Sequence, residues 1–218
     1  MMRILIPALL LLLQPAADRL QGVVGLWSPP TDLESAIMTD GSKWSGQTTP
    51  ETLAPIGKLL FGDANGAFLA NGTSANAFPI AVDRETRDFR RGTVRVEFKL
   101  ISGPTDQSAG IVIGMQPSGE YHFVRYNTKD GNIALWAFAA GERRVITKGA
   151  GLKQLPLGVW HELVVRLEGV DITASVTGHP ELDAHFTMTT PTSGRVGVWA
   201  KRDVVTAFRR FAVESTNR

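Results

Sequence analysis

Four residues in the middle of the chain, Arg125, Asn127, Asn132 and Trp136, carry the chemistry that a carbohydrate site needs. An indole offers a flat apolar surface to one face of a sugar ring, while a guanidinium and two carboxamides can bond hydroxyl groups. Their spacing brings them together only if residues 120–127 and 132–138 are two strands joined by a turn at Thr128-Lys129-Asp130-Gly131. In that hairpin Asn127 faces Asn132, Arg125 faces Ala134, Phe123 faces Trp136 and Tyr121 faces Phe138, all on one side. The other side, with His122, Val124, Tyr126, Ile133, Leu135 and Ala137, is the more aliphatic and is expected to face the core. Two alternatives stay open. The aromatic residues can themselves be core, with Arg125 paired to Glu97 or Glu162, and a one-residue slip of register would exchange the faces.

A second candidate group is Trp199, Lys201 and Asp203, at a strand end where the loops of a sandwich gather. A packed structural tryptophan beside a solvated Lys-Asp turn is the plainer account of it. Asp106 is a weak candidate for calcium, because a single loop carboxylate is far short of the six to eight oxygens that ion takes. No other cofactor is expected. His122, His161, His179 and His185 lack paired metal spacing, and there is neither a Gly-x-Ser-x-Gly elbow nor a phosphate loop. His161 falls on the apolar side of its strand and is expected to be a core residue.

The elements that must position these groups are short and β-like. Residues 93–100 alternate cleanly, with Val94, Val96, Phe98 and Leu100 on one face and Arg95, Glu97 and Lys99 on the other, as a half-buried strand requires. Further runs cover residues 109–116, 142–148, 159–168, 170–177, 184–188, 195–201 and 204–213, giving about ten strands with the hairpin. No helical period stands out. The predicted class is therefore all-β, a sandwich or a barrel. Residues 18–74 are expected to be a loop-rich lead-in with the first strands, forming one domain with residues 75–214.

The sequence has 218 residues, ordinary for a single all-β domain. Residues 1–17 have the form of a signal peptide: Arg3, an apolar run too short to span a bilayer, then Ala16 and Ala17. Cleavage there would leave a periplasmic or secreted protein without membrane insertion. The chain contains no cysteine, so it has no disulfide and no thiol chemistry. Its 23 basic and 21 acidic residues nearly balance. The basic cluster Arg87, Arg90, Arg91 lacks interleaved aromatics and is expected to be a solvated loop, so no nucleic-acid partner is implied.

The order of several short motifs is similar to that of bacterial laminin-G-like proteins related to the 3-keto-disaccharide hydrolase domain, within the concanavalin A-like lectin/glucanase superfamily. The motifs are Asp106-Gln107-Ser108-Ala109-Gly110-Ile111-Val112, Tyr121-His122-Phe123-Val124-Arg125-Tyr126-Asn127, Trp160-His161-Glu162-Leu163 and Gly194-Arg195-Val196-Gly197-Val198-Trp199-Ala200-Lys201. The resemblance implies an antiparallel β-sandwich of jelly-roll, concanavalin A-like type. For function it implies no single answer, since that superfamily mixes sugar-binding modules, glycan hydrolases and interaction domains. Glu97, Glu120 and Glu162 stand alone, with no obvious pair of carboxyls across a glycosidic bond. The expectation is thus an exported sandwich that binds a saccharide or glycan without cleaving it, with a sugar-cleaving enzyme and a protein-interaction module as alternatives.

Overall fold

The computed structural model describes residues 19–41, 46–71, 74 and 76–216. The predicted leader, residues 1–17, lies outside the described residues. In chain order the elements are β1 (Leu20–Val24), β2 (Trp27–Ser28), β3 (Ile37–Thr39), helix α1 (Pro50–Phe61), a 3-10 turn (Gly62–Ala64), helix α2 (Gly66–Asn71), β4 (Ile80–Asp83), β5 (Gly92–Ser102), β6 (Ser108–Met115), β7 (Tyr121–Asn127), β8 (Asn132–Ala139), β9 (Glu142–Lys148), β10 (Trp160–Glu168), β11 (Asp171–Val176), β12 (His179–Thr187), β13 (Arg195–Ala200) and β14 (Val205–Ser215).

These strands form two seven-stranded antiparallel sheets. The first has the order β1-β4-β13-β6-β7-β8-β9 and the second β12-β11-β10-β5-β14-β3-β2. The early segment contributes to both, β1 at one edge of the first sheet and β2 with β3 at one edge of the second.

The main core fills the space between the sheets, and the alternation of β5 shows how. Val94, Val96, Phe98 and Leu100 point inward and are at most 1% exposed, while Arg95, Glu97 and Lys99 point away. Val124, Tyr126, Ile133 and Leu135 meet them from the first sheet, and Leu163, Val165, Leu167 and Phe208 belong to the same cluster. The hairpin register agrees with the sequence expectation at every pair: Asn127 with Asn132, Arg125 with Ala134, Phe123 with Trp136, Tyr121 with Phe138. Gly131 sits at φ +68°, where a side chain would be strained, and its N–H donates to the Asn127 carbonyl at 2.8 Å to close the turn. Tyr126 presents its ring to the core and its hydroxyl to a loop. The hydroxyl donates to the Lys153 carbonyl at 2.7 Å and accepts from the Leu155 N–H at 2.8 Å, so a buried polar group and the loop before β10 satisfy each other.

The expectation that no helix occurs is corrected by α1 and α2. Thr49 caps α1 through a reciprocal pair of bonds with Thr52, Pro50 lies in the first turn, and the chain leaves the helix at Gly62, φ +56°. Leu53, Gly57 and Leu60 form its buried stripe. That stripe is seated on the first sheet's outer side, where a second cluster gathers Leu60, Phe78, Ile80, Val82, Val112, Met115, Tyr121, Phe123, Phe138 and Trp199. The first sheet is therefore apolar on both faces.

Candidate functional site

The aromatic side of the β7–β8 hairpin, for which the sequence leaves both a ligand face and a packed core open, is closed over much of its length by this second cluster, as the core alternative requires. Tyr121, Phe123 and Phe138 are at most 5% exposed. Phe123 lies between two indoles, stacked on Trp199 with centroids 4.4 Å apart and on Trp136 at 6.2 Å. Trp199 is fully buried and offers no surface to a ligand, which corrects its place among the candidate ligand residues. Trp136, nearer the sheet edge, is only half-buried.

Of the other candidates Arg125 lies beside Trp136, and it leads to the rest at the turn end of the hairpin. Arg125 is buried, its guanidinium 5.4 Å from the Trp136 ring centre, and its Nη2 donates to Asp130 at 2.7 Å. Asn127 Nδ2 reaches both Asp130, at 3.2 Å, and Asp106, at 2.6 Å. Lys201 pairs with the other oxygen of Asp106, and Asp203 accepts the backbone N–H groups of Thr105 and Asp106 at 3.0 and 3.2 Å. The two candidate groups are thus one network, running Arg125, Asp130, Asn127, Asp106, Lys201, with Asp203 holding the loop. Asp106 has both oxygens engaged, one by a cation, a poor arrangement for calcium, and among the described residues no cluster of three or more His, Asp or Glu could hold a metal.

The partners that the core alternative gives Arg125 are elsewhere. Glu97 and Glu162 sit side by side on β5 and β10, on the outer side of the second sheet. Glu97 pairs with Arg209 and, at 2.8 Å, with Arg210, and Glu162 accepts from Thr177 at 2.6 Å. Burial alone would raise the Glu97 pKa, but the two arginines win and hold it below the usual carboxylate range. A glycosidase acid needs the opposite shift from that of Glu97, and neither carboxylate joins Arg125. Glu120 is exposed beside Ser118. His161 packs on Phe98 with ring centroids 5.7 Å apart, and burial followed by the neighbouring His179 lowers its pKa, as suits a neutral packing residue.

Sequence reasoning missed Arg143. It stands opposite Phe138 on β9, half-buried, with its guanidinium 4.5 Å from the Trp136 ring centre and 5.0 Å from that of Phe78. Among the described residues it makes no ion pair. Burial first, and then repulsion from Arg125, pull its pKa below the ordinary arginine range. The signal available in the sequence was parity: counting back across the Ala140-Gly141 turn puts Arg143 on the Trp136 side. Three polar atoms here are buried without a hydrogen-bond partner among the described residues: Arg125 Nη1, Trp136 Nε1 and Asn132 Oδ1. Such atoms cost about 1–3 kcal/mol each when left unpaired, so two donors and an acceptor await partners on one face of a hairpin.

No protein-family model matches this sequence, and no curated protein matches it. Among solved structures, the chain is similar to the carbohydrate-binding module CBM66 from Bacillus subtilis, with 9% identity, a TM-score of 0.61, and coverage of 93% of this chain and 98% of that one. The galectin LEC-6 of Caenorhabditis elegans aligns at 12% identity and TM-score 0.44, covering 61% of this chain and 93% of that one. A β-glucanase of Bacillus licheniformis aligns at 13% and 0.44, covering 64% and 72%. With two seven-stranded antiparallel sheets and this likeness, the chain has the concanavalin A-like jelly-roll sandwich fold.

Proposed function

We propose that this protein binds a saccharide or glycan, without cleaving it, at the Trp136 end of the first sheet's outer face. The observation that carries this is the coincidence of a half-buried indole with unpartnered donors and an acceptor on Arg125, Trp136 and Asn132. A polyhydroxylated ring suits that set, because each hydroxyl both donates and accepts while its apolar face covers the indole. Arg143 lies across the indole and is tied by no ion pair among the described residues, so a ligand would reach the ring by displacing it. The carbohydrate-binding name of the neighbour that spans nearly the whole fold agrees with this assignment by analogy alone. An activity like that of the 3-keto-disaccharide hydrolases is the less favoured alternative, since Glu97 and Glu162 lie on the other sheet and Glu97 is held ionised. A protein-interaction role is less favoured too, because the unpartnered atoms ask for hydrogen bonds.

The test is calorimetry against a panel of neutral and acidic oligosaccharides. Trp136→Ala should weaken binding by about tenfold, the factor equivalent to roughly 1.4 kcal/mol, from lost stacking. Arg125→Gln should weaken it at least as much through a lost charged donor. Both variants should still unfold cooperatively. Binding that survives both changes would remove the site. We also propose export, resting on residues 1–17: intact mass should show the mature protein lacking about that leader, and full-length protein in the cytosol would overturn this.

A further inference from the structure

A cleft of about 440 Å³ opens where the C-terminal end of α1 meets the edge of the first sheet. Its walls are Leu59 and Leu60 of α1, Gln21 and Val82 of β1 and β4, and three arginines, Arg84, Arg87 and Arg195. Every charged residue of the lining is cationic.

Arg195 is the unusual member. It is only 5% exposed, yet its sole hydrogen-bond partner among the described residues is an uncharged one, the Leu60 carbonyl, to which both Nε and Nη2 donate. Phe61 lies beside it, its ring centre 5.8 Å from the guanidinium carbon. The carboxylate that interacts with it is Asp83, and that group is already committed to Arg19, which donates to both of its oxygens at 2.9 and 3.0 Å. Arg84 bonds the Gln21 side chain at 3.1 Å, and neither it nor Arg87 makes an ion pair among the described residues. Burial of a guanidinium without a countercharge is costly and is ordinarily avoided. Here burial, then repulsion from Arg87, both act against the charged form of Arg195, and an anion in the cleft would relieve the two together.

We infer that this cleft binds a small anionic ligand through an oxyanion group held by Arg195, Arg84 and Arg87, with the ligand's apolar side against Leu59 and Val82. A fixed guanidinium fork matches a carboxylate, sulfate or phosphoryl group in geometry as well as in charge. The volume exceeds that of a bare inorganic anion and falls in the range of sites for small organic molecules. This inference stands apart from the saccharide assignment: it uses none of the residues around Trp136.

The experiment follows the Arg195 Nε–Hε resonance, assigned by its loss in Arg195→Lys, as the whole protein is titrated with phosphate, galacturonate or galactose at an ionic strength fixed with sodium chloride. The expected result is a saturable shift with phosphate, galacturonate or both, and none with galactose. Phosphate alone would assign a phosphoryl group and galacturonate alone a carboxylate. Arg84 and Arg87 are exposed, so Arg84→Gln and Arg87→Gln should melt like the parent while each raises the apparent Kd several-fold, up to about tenfold for a lost charged hydrogen bond. No saturable shift with either anion, an equal response to galactose, or unchanged affinity in the Arg84→Gln, Arg87→Gln double variant would overturn the inference. Loss of glycan binding at Trp136 would leave these outcomes untouched.

Discussion

Trp199→Ala should destabilise the protein by about 3–5 kcal/mol, the range for deleting a large buried aromatic, and it should do so whether or not a glycan is present. The side chain is fully buried, stacked on Phe123 at 4.4 Å and tilted against Phe78 at 5.2 Å. Removing it takes out the middle of the layer that joins the sheet to the early segment. With a urea slope near 2 kcal/mol per molar, the midpoint should fall by about 1.5–2.5 M at unchanged slope. Trp199→Phe should cost much less, because a ring that can stack on Phe123 and pack on Phe78 is kept. Trp136→Ala, at the half-buried edge, should shift the midpoint by a fraction of that amount. If the two alanine variants shifted it equally and slightly, the outer face would have to be open, and Trp199 would return as a ligand residue.

That contrast between two tryptophans on one face marks what the sequence could convey. Alternation in residues 93–100 and parity across the Asp130-Gly131 turn specified the strands, the register and the inward face, because a half-buried strand repeats every two residues whatever lies beyond it. The pattern could not say what covers the other face. Phe123 and Trp136 look the same whether they await a ligand or a helix. The cover is Phe78, packed on Phe138 and Trp199, together with α1, whose Pro50, Pro55 and Gly57 make it read as a loop although Leu53, Gly57 and Leu60 carry helical spacing.

Partner assignments failed for a related reason. The core alternative pairs Arg125 with Glu97 or Glu162, but strand patterns do not tell which sheet a strand joins. β5 and β10 belong to the second sheet, and Asp130, in the adjoining turn, supplies the charge instead. The network linking Arg125 through Asn127 and Asp106 to Lys201 could be assembled only in three dimensions. Arg195 was hidden in the same way, since nothing in Gly194-Arg195-Val196 signals that its nearest countercharge is spoken for.

Asp83→Asn should cost about 2–3 kcal/mol near neutral pH, less than a fully buried pair would because its partner Arg19 remains partly exposed. The Asp83 side chain is wholly buried. It accepts two bonds from Arg19 and also the backbone N–H groups of Thr86, at 3.1 Å, and Glu85, at 3.4 Å. Burial by itself would raise its pKa, but Arg19 and the Thr86 and Glu85 groups together outweigh burial and leave it below the ordinary carboxylate range. The sign of the pH effect follows. A carboxyl that is more acidic folded than unfolded adds stability above its unfolded pKa of about 3.9, and this is lost as pH falls through the lower folded value. The carboxamide of the variant does not titrate, so the variant should be less stable than the parent at pH 7 and approach it as acid neutralises Asp83. Urea midpoints measured for both proteins from pH 7 down to the acid limb would show the two curves drawing together. A gap of constant size across that range would mean that the Arg19 pair contributes nothing electrostatic and that Asp83 serves only as a shape at the end of β4.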